Sequence, residues 1–222
     1  MLPIYKNVDS MKKAVTQIDE DFNKLASEAA SCTVCPGMSG RSAVLSRLNG
    51  SLSASVLFIA EAPGRQGADR TRKPFYGDKS GENFERFLES VGLTRNEIFI
   101  TNTVLCSPRS ETGANRRPLA SEIGNCRGFL RRMVALLNPG VVVTLGAVAL
   151  DATRALEQHE IKLRSGVGMV HEWNRRLLVP LYHPSPQVIA ATRDFKQQMG
   201  DFAAVGEAIR RIEREGVGRG CE

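Results

Sequence analysis

Four cysteines at uneven spacing constrain the fold of this chain more than any other feature. Cys32 and Cys35 form a Cys-x-x-Cys pair near the N-terminus, whereas Cys106 and Cys126 lie far downstream. Four converging thiolates hold a zinc ion or an iron–sulfur cluster. The pattern therefore predicts a metal centre, which requires a fold that brings distant segments together. Cys221, in a Gly/Arg-rich tail, is not expected to be a ligand.

Composition limits the class of protein. The chain has 222 residues, of which 42% are hydrophobic and 24% charged, as expected for one globular domain. The start of the chain lacks the apolar core of a signal peptide, and no apolar run is long enough for a membrane span. We therefore expect a cytoplasmic monomer whose cysteines bind metal rather than form disulfides. The net charge of +6 permits binding to a polyanion.

Apolar runs alternate with amphipathic segments along the chain. Residues 55–60 and 141–146 are continuous apolar runs, typical of strands buried on both faces. The alternation predicts a single α/β domain over residues 1–222, with three α/β/α layers and a central, mostly parallel four-stranded sheet. The N-terminal helix and the Cys-x-x-Cys loop (residues 1–50) are expected to pack on it. The predicted strands are 55–60, 97–103, 141–146 and 175–182, and the predicted helices are 8–29, 82–91, 120–138, about 147–158 and 194–215.

Three loops that follow predicted strands carry the chemically distinctive residues. They contain Glu61-Ala62-Pro63-Gly64, Asn102 and His183-Pro184-Ser185. Ligands of parallel α/β sheets bind beyond the carboxyl ends of the strands, so these loops are expected to converge. Taken singly, each has a plainer interpretation, as a solvated carboxylate, a backbone-satisfying amide and a structural histidine. The first loop fits neither a Walker loop nor a dinucleotide fingerprint.

Aromatic and basic residues surround the same region. Pro74-Phe75-Tyr76-Gly77 places Phe75 in a basic loop, either as a small satellite core or as a stacking platform for a planar base. The nearby basic residues are either a solvated surface or phosphate contacts, which orient a nucleic-acid strand without reading it. They include Arg65, Lys73 and Arg193.

Taken together, these motifs resemble the iron–sulfur uracil-DNA glycosylases of family 4. The resemblance runs from about Cys32 to Arg193 and depends on the order and spacing of all the motifs. It implies a [4Fe–4S] cluster with a structural role on Cys32, Cys35, Cys106 and Cys126, although spacing alone leaves zinc open. The matching pieces are Cys32-x-x-Cys35, Glu61-Ala62-Pro63-Gly64, Lys73-Pro74-Phe75-Tyr76-Gly77, Thr101–Cys106, Asn115-Arg116-Arg117-Pro118, Cys126 and Tyr182-His183-Pro184-Ser185.

This resemblance implies excision of uracil from DNA, and we hypothesise a role for each residue. Phe75 stacks on the base, Asn102 reads its edge, and His183 with a backbone N–H near Ala62 stabilises its O2. Glu61 holds the attacking water. The predicted DNA contacts are Arg65, Lys73, Ser185 and Arg193, and residues 186–193 are expected to enter the groove.

The chain also departs from this family. Ala60 replaces a usual glycine, and Arg65-Gln66-Gly67-Ala68 stands where acidic residues are common. These departures motivate an alternative, a glycosylase for hypoxanthine, xanthine or another damaged base. Two further alternatives are an inactive iron–sulfur DNA-binding protein and a zinc-stabilised nucleotide-binding protein.

Overall fold

The computed structural model describes residues 4–215, with side chains for residues 16–214. Cys221 and the rest of the predicted tail lie outside this range. The helices are α1 (Ile4–Ala30), α2 (Ala68–Thr71), α3 (Lys79–Ser90), α4 (Ala120–Leu137), α5 (Ala147–Leu156), α6 (Leu163–Gly166), α7 (Pro186–Ala191) and α8 (Phe195–Glu215), and the strands are β1 (Val56–Ala60), β2 (Ile98–Asn102), β3 (Val141–Leu145), β4 (His171–Trp173) and β5 (Arg176–Leu181).

The strands form one sheet in the order β2-β1-β3-β5-β4. The four predicted strands are present and pair in parallel, which confirms the α/β class and the mostly parallel sheet. The predicted number of strands was wrong, because β4 adds a fifth, antiparallel strand at the edge beside β5. β4 has only three residues, too few for a periodic pattern, and the turn at Asn174-Arg175 uses positive φ angles of 45° and 58°.

Helices cover both faces of the sheet, as the three-layer prediction requires. On one face, α1, α4 and α5 pack against alternate strand residues that include Leu57, Phe99 and Val142. On the other face, α3 and α8 pack against the intervening residues, among them Phe58 and Val143. Burial on both faces explains the continuous apolar runs. No described helix has the length and apolarity needed to cross a membrane.

The pairing of β1 with β2 continues beyond the ends of the strands. Ala60 lies opposite Asn102 in the parallel register. Beyond this pair, the Thr103 N–H donates to the Ala60 carbonyl at 2.8 Å, and the Val104 N–H donates to the Glu61 carbonyl at 3.1 Å. The backbone that carries Glu61 is therefore fixed against the segment that follows Asn102.

Two helices start at caps that shape the same end of the sheet. The Asp78 carboxylate accepts from the Gly81 N–H at 2.9 Å and begins α3. Ser185 caps helix α7, whose six residues are too few for the sequence pattern to predict it. Asp194 caps α8, because its carboxylate accepts from the Gln197 N–H at 2.8 Å.

Candidate active site and four-thiol site

A cavity of about 570 Å³ lies beyond the carboxyl ends of the parallel strands. The three distinctive loops all reach it, together with the loop that carries Phe75. The structure thus brings together most of the residues that the sequence singles out. Of the predicted site residues, those lining the cavity are Glu61, Ala62, Arg65, Phe75, Asn102, His183 and Ser185.

Phe75 is held as a flat wall of the cavity. Its ring stacks on the core residue Phe84, with 4.6 Å between centroids and 20° between planes. The backbone of Phe75 has a φ of 48°, and its carbonyl accepts from Arg95, which also donates to the Pro74 carbonyl at 2.6 Å. One face of the ring is therefore packed against the core, and the ring itself borders the cavity.

Asn102 is the most deeply buried polar group of the cavity wall. Only 4% of the residue is exposed, and its Nδ2 has no hydrogen-bond partner among residues 16–214. A buried donor without an acceptor destabilises the folded protein by about 1–3 kcal/mol. Retaining such a donor in a cavity wall is physically reasonable if a ligand supplies the acceptor.

His183 lies two residues after the end of β5 and faces Phe75, with 5.5 Å between ring centroids. Its loop is fixed by Asn83, whose Nδ2 donates to the Pro184 carbonyl at 2.9 Å. Loss of water around the ring lowers the pKa of His183 to about 4, and the charge of Asp78 opposes this shift only in part. The imidazole is therefore neutral at neutral pH and offers one N–H.

Glu61 begins the loop after β1 and is only partly exposed to solvent. Burial raises the pKa of this carboxyl above its usual value, while the positive charge of Arg117 acts in the opposite direction. A carboxylate with reduced hydration and a raised pKa is better suited to hold or deprotonate a water molecule than a fully solvated one.

The predicted DNA contacts occupy different environments. Arg65 is exposed at the cavity, and its backbone N–H donates to Asn115 Oδ1 at 3.0 Å. Lys73 lies over the Tyr76 ring, with 4.6 Å from Nζ to the centroid. Ser185 caps α7 at the cavity wall, whereas Arg193 forms a two-pronged ion pair with Asp201 at 2.6 and 2.9 Å. A phosphate contact from Arg193 would have to compete with that pair.

Two further cavity residues were not identified from the sequence. Asp78 caps α3 and faces Gly67, where a Cβ atom would collide with its carboxylate. Asn115 fixes the backbone at Arg65 and belongs to the Asn115-Arg116-Arg117-Pro118 motif, whose sequence alone indicates no role for it. The Gly-Asp step before a helical segment, with its capping aspartate, was the available signal for Asp78.

The four predicted metal ligands lie in one region beside the cavity. Cys35, Cys106 and Cys126 share a small cluster with Met38 and Val104. Burial and the neighbouring thiols Cys126, Cys32 and Cys35 raise the pKa of Cys106 to about 11, and burial also raises the pKa of Cys126. Within residues 16–214, no group of three or more His, Cys, Asp or Glu side chains has the arrangement of a metal site.

The family of this chain is shown by its similarity to known proteins. The family model of the uracil DNA glycosylase superfamily matches residues 49–204. This chain belongs to that superfamily. It is 30% identical to the Type-4 uracil-DNA glycosylase of Thermotoga maritima over 75% of this chain and 83% of the relative. It is also 30% identical to the Type-4 enzyme of Archaeoglobus fulgidus, over 85% and 93% of the two chains.

A Type-5 uracil-DNA glycosylase, from Pyrobaculum aerophilum, is also similar, with 31% identity over 62% of this chain and 64% of the relative. The superfamily match contains every cavity residue discussed above, as well as Cys106 and Cys126. It begins after Cys32 and Cys35. The four-thiol site therefore joins the superfamily region to the N-terminal segment that precedes it.

Proposed function

We propose that this protein is a monofunctional uracil-DNA glycosylase of base-excision repair. It would hydrolyse the N-glycosidic bond of deoxyuridine in DNA, leave an abasic site, and act as a monomer. The observation that carries the proposal is the unpartnered amide of Asn102 in a cavity walled by Phe75 and His183. The resemblance to Type-4 enzymes points to the same reaction.

The base has to leave the duplex before it can enter this cavity. A nucleotide in the stack exposes neither its glycosidic bond nor its pairing edge to a protein, so such enzymes flip the nucleotide out. Phe75 would supply a replacement stacking surface, since its ring is held in place by Phe84 behind it. Stacking on an aromatic ring contributes about 1–3 kcal/mol per base and does not depend on its identity.

Asn102 would determine which base is recognised. Its carboxamide donates through Nδ2 and accepts through Oδ1 side by side. Uracil presents the complementary pair, an acceptor at O4 and a donor at N3–H. Cytosine presents the reverse pattern at the same two positions. The buried Nδ2 would therefore gain a partner with uracil and remain unsatisfied with cytosine.

His183 would stabilise the leaving base. As the bond between the sugar and N1 lengthens, negative charge accumulates on the base, chiefly at O2. A neutral imidazole can donate its one N–H to that oxygen, and a backbone N–H near Ala62 would add a second donor. One fixed donor of this kind contributes about 10²–10³-fold in rate.

Glu61 would act on the sugar and on the attacking water molecule. The sugar becomes cationic as the base departs, and a water molecule attacks it from the opposite face. The carboxylate of Glu61 accepts a hydrogen bond from this water and places its oxygen toward the sugar. Its negative charge also stabilises the cationic sugar.

We further propose that the four cysteines hold a [4Fe–4S] cluster. The donor set fits, since the other three thiols lie close enough to raise the pKa of Cys106, and burial disfavours a free thiolate at Cys106 and at Cys126. A bound metal centre supplies the positive charge that stabilises deprotonated cysteines. Its role would be to join three segments of the chain, not to take part in the reaction.

Contacts to the phosphates would orient the DNA over the cavity. Arg65 and Ser185 lie at its wall, while Lys73 and Arg193 lie outside its lining. Helix α7 and residues 192–193 would approach the groove on the side of His183. Because phosphate contacts release counterions, binding should weaken as the salt concentration rises.

The decisive experiment is a cleavage assay on a labelled oligonucleotide that carries one uracil. Excision followed by alkali should cut the strand at that position, while matched oligonucleotides with cytosine or thymine stay intact. A substrate set with hypoxanthine and xanthine tests the wider base range. Absence of uracil excision by protein with an intact cluster would contradict the proposal.

A further inference from the structure

Arg116 lines the cavity and is followed by Arg117, and the two arginines have opposite surroundings. Arg117 is exposed, and its guanidinium has no ion-pair partner among the described side chains. Four of the five guanidinium N–H groups of Arg116 have an acceptor. The acceptors are the Arg109 carbonyl, the Arg117 carbonyl and both carboxylate oxygens of Glu122. Arg116 therefore has little capacity left for a phosphate, although it lines the cavity.

The partner of Arg116 lies in the helix that carries one of the four thiols. Glu122 is 4% exposed and belongs to the first turn of α4, one turn before Cys126. Its two oxygens accept from Arg116 at 2.6 and 2.8 Å, and one of them also accepts from the Leu119 N–H at 2.8 Å. Two-pronged pairs of this kind fix both position and orientation.

The same ion pair contacts the Cys-x-x-Cys turn. A Cβ atom on Gly37 would lie 3.4 Å from the Arg116 guanidinium and 3.6 Å from Glu122. The backbone of this glycine, two residues after Cys35, therefore packs directly on the pair. Two thiol-bearing segments, the turn and α4, thus meet at Arg116.

Arg116 also holds the third thiol-bearing segment. Residues 107–116, here called the cavity-wall hairpin, begin directly after Cys106 and are closed by a bridge between Arg109 and Asn115. The Arg116 Nε donates to the Arg109 carbonyl at 3.0 Å, and the Arg116 N–H donates to the Pro108 carbonyl at 3.1 Å. The hairpin lines the cavity through Pro108, Ala114, Asn115 and Arg116.

We propose that Arg116 is a positioning residue that couples the four-thiol site to the base cavity. It connects the cavity-wall hairpin to the Cys32–Cys35 turn and to α4. The hairpin is therefore in place only when the metal centre holds these segments together. The inference rests on the proposed function, because it assigns to the cluster an effect on nucleotide binding. Thermodynamic coupling is reciprocal, so occupation of the cavity must in turn stabilise the cluster.

This reciprocity gives a test, because DNA would protect the cluster equally with and without Arg116 if the role of Arg116 were purely structural. The loss of visible cluster absorbance to a chelator is followed with and without saturating DNA that carries one 2′-fluoro-deoxyuridine, whose glycosidic bond resists hydrolysis. In the unchanged protein the DNA should slow cluster loss about fivefold or more, because release of the cluster would then have to displace the hairpin that the bound nucleotide holds in place; fivefold is the lower end of typical equilibrium couplings. In Arg116→Met, protein loaded with cluster should lose it at nearly the same rate with and without DNA.

Arg117→Ala is the matched control, since it removes the same charge from the neighbouring position but leaves the ion pair with Glu122 intact. Its cluster should still be protected once DNA is saturating. Two further variants should show intermediate protection of the cluster. Arg116→Lys keeps the charge but cannot form the two-pronged contact with Glu122, and Glu122→Gln removes the charge of the carboxylate. Both replace Arg116→Met if that variant does not fold.

Equal protection of the cluster by DNA in Arg116→Met and in the unchanged protein overturns the coupling, and it does not bear on the proposed glycosylase activity. If Arg116→Met yields no loaded protein, undiminished protection in both Arg116→Lys and Glu122→Gln overturns it in the same way. A protein purified without cluster overturns the proposed cofactor and the coupling together, and a loaded protein without uracil excision overturns the proposed function alone.

Discussion

In the cavity, the residues of the wall are held by packing behind them, whereas in the four-thiol site the cysteines lie close to one another. Phe75 rests on Phe84, and the His183 loop is tied by Asn83. Each cavity residue therefore has a support that belongs to the protein itself. The thiols sit on three separate segments, and mutual burial raises the pKa of Cys106 and Cys126.

This difference suggests how each region acquires its order. The cavity is formed by strand ends and loops whose supports are already present, so it needs only a ligand to satisfy Asn102. The thiol site needs an added group, because burial disfavours the thiolates of Cys106 and Cys126 and nothing in the four side chains draws the three segments together. Substitutions in the cavity should therefore lower the rate of the reaction, whereas substitutions in the thiol site should lower the stability of the protein.

The largest effect on chemistry should come from His183→Ala. Removing a donor aimed at the developing charge should lower the single-turnover rate of uracil excision about 10²–10³-fold, with an unchanged melting temperature. Asn102→Ala should also slow excision, with no loss of stability, since it removes an unsatisfied buried donor. Near-normal rates in both variants would contradict the assignment of the cavity.

Cys106→Ser should produce the opposite result. We expect loss of cluster absorbance and a melting temperature lower by about 5 °C or more, corresponding to roughly 2 kcal/mol for a chain of this size. Cys221→Ser serves as the control and should retain both properties. A soluble, colourless and fully active Cys106→Ser protein would remove the structural role of the cluster.

The pH profile should distinguish the two proposed catalytic groups within the cavity. The pKa of Glu61 is raised, so the carboxylate is lost as the pH falls through a value above its usual 4.5, while His183 stays neutral down to about pH 4. Excision should therefore decline first because of Glu61. In Glu61→Gln, the residual rate should be lower but should not show this acidic decline, as measured from pH 4 to pH 8.

The smallest effects should come from the basic surface. Arg65→Ala should reduce the dependence of DNA binding on salt by about one counterion and leave the rate at saturating DNA nearly unchanged. Arg193→Ala should instead lower stability, because it leaves the buried carboxylate of Asp201 without its partner. Titrations at several salt concentrations, together with thermal melts, would separate the two arginines.

Much of the fold could be predicted from local pattern. The strands β1 and β3 are buried on both faces, so their sequences are continuous apolar runs, and the long helices show clear periodicity. The short elements could not be predicted in this way. β4 depends on a turn with positive φ at Asn174 and Arg175, and α7 has only six residues.

The cavity could be predicted to the extent that it depends on strand ends. Glu61 and His183 follow buried strands and Asn102 is the last residue of one, and parallel strands place such residues at one edge. What the sequence could not supply were the tertiary supports. The contact of Gly67 with Asp78, the tie from Asn115 to Arg65, and the Arg193–Asp201 pair each join residues whose proximity is set only by the folded chain.

The continued pairing of β1 and β2 has a consequence for how this active site can diversify. Because side chains alternate between the two faces of a sheet, one residue inserted into either strand would turn its last side chain to the opposite face. Glu61 and Asn102 can thus be exchanged for other residues but cannot shift relative to each other. Insertions and deletions are therefore expected only in the loops, and new specificities are expected to arise by substitution at fixed positions.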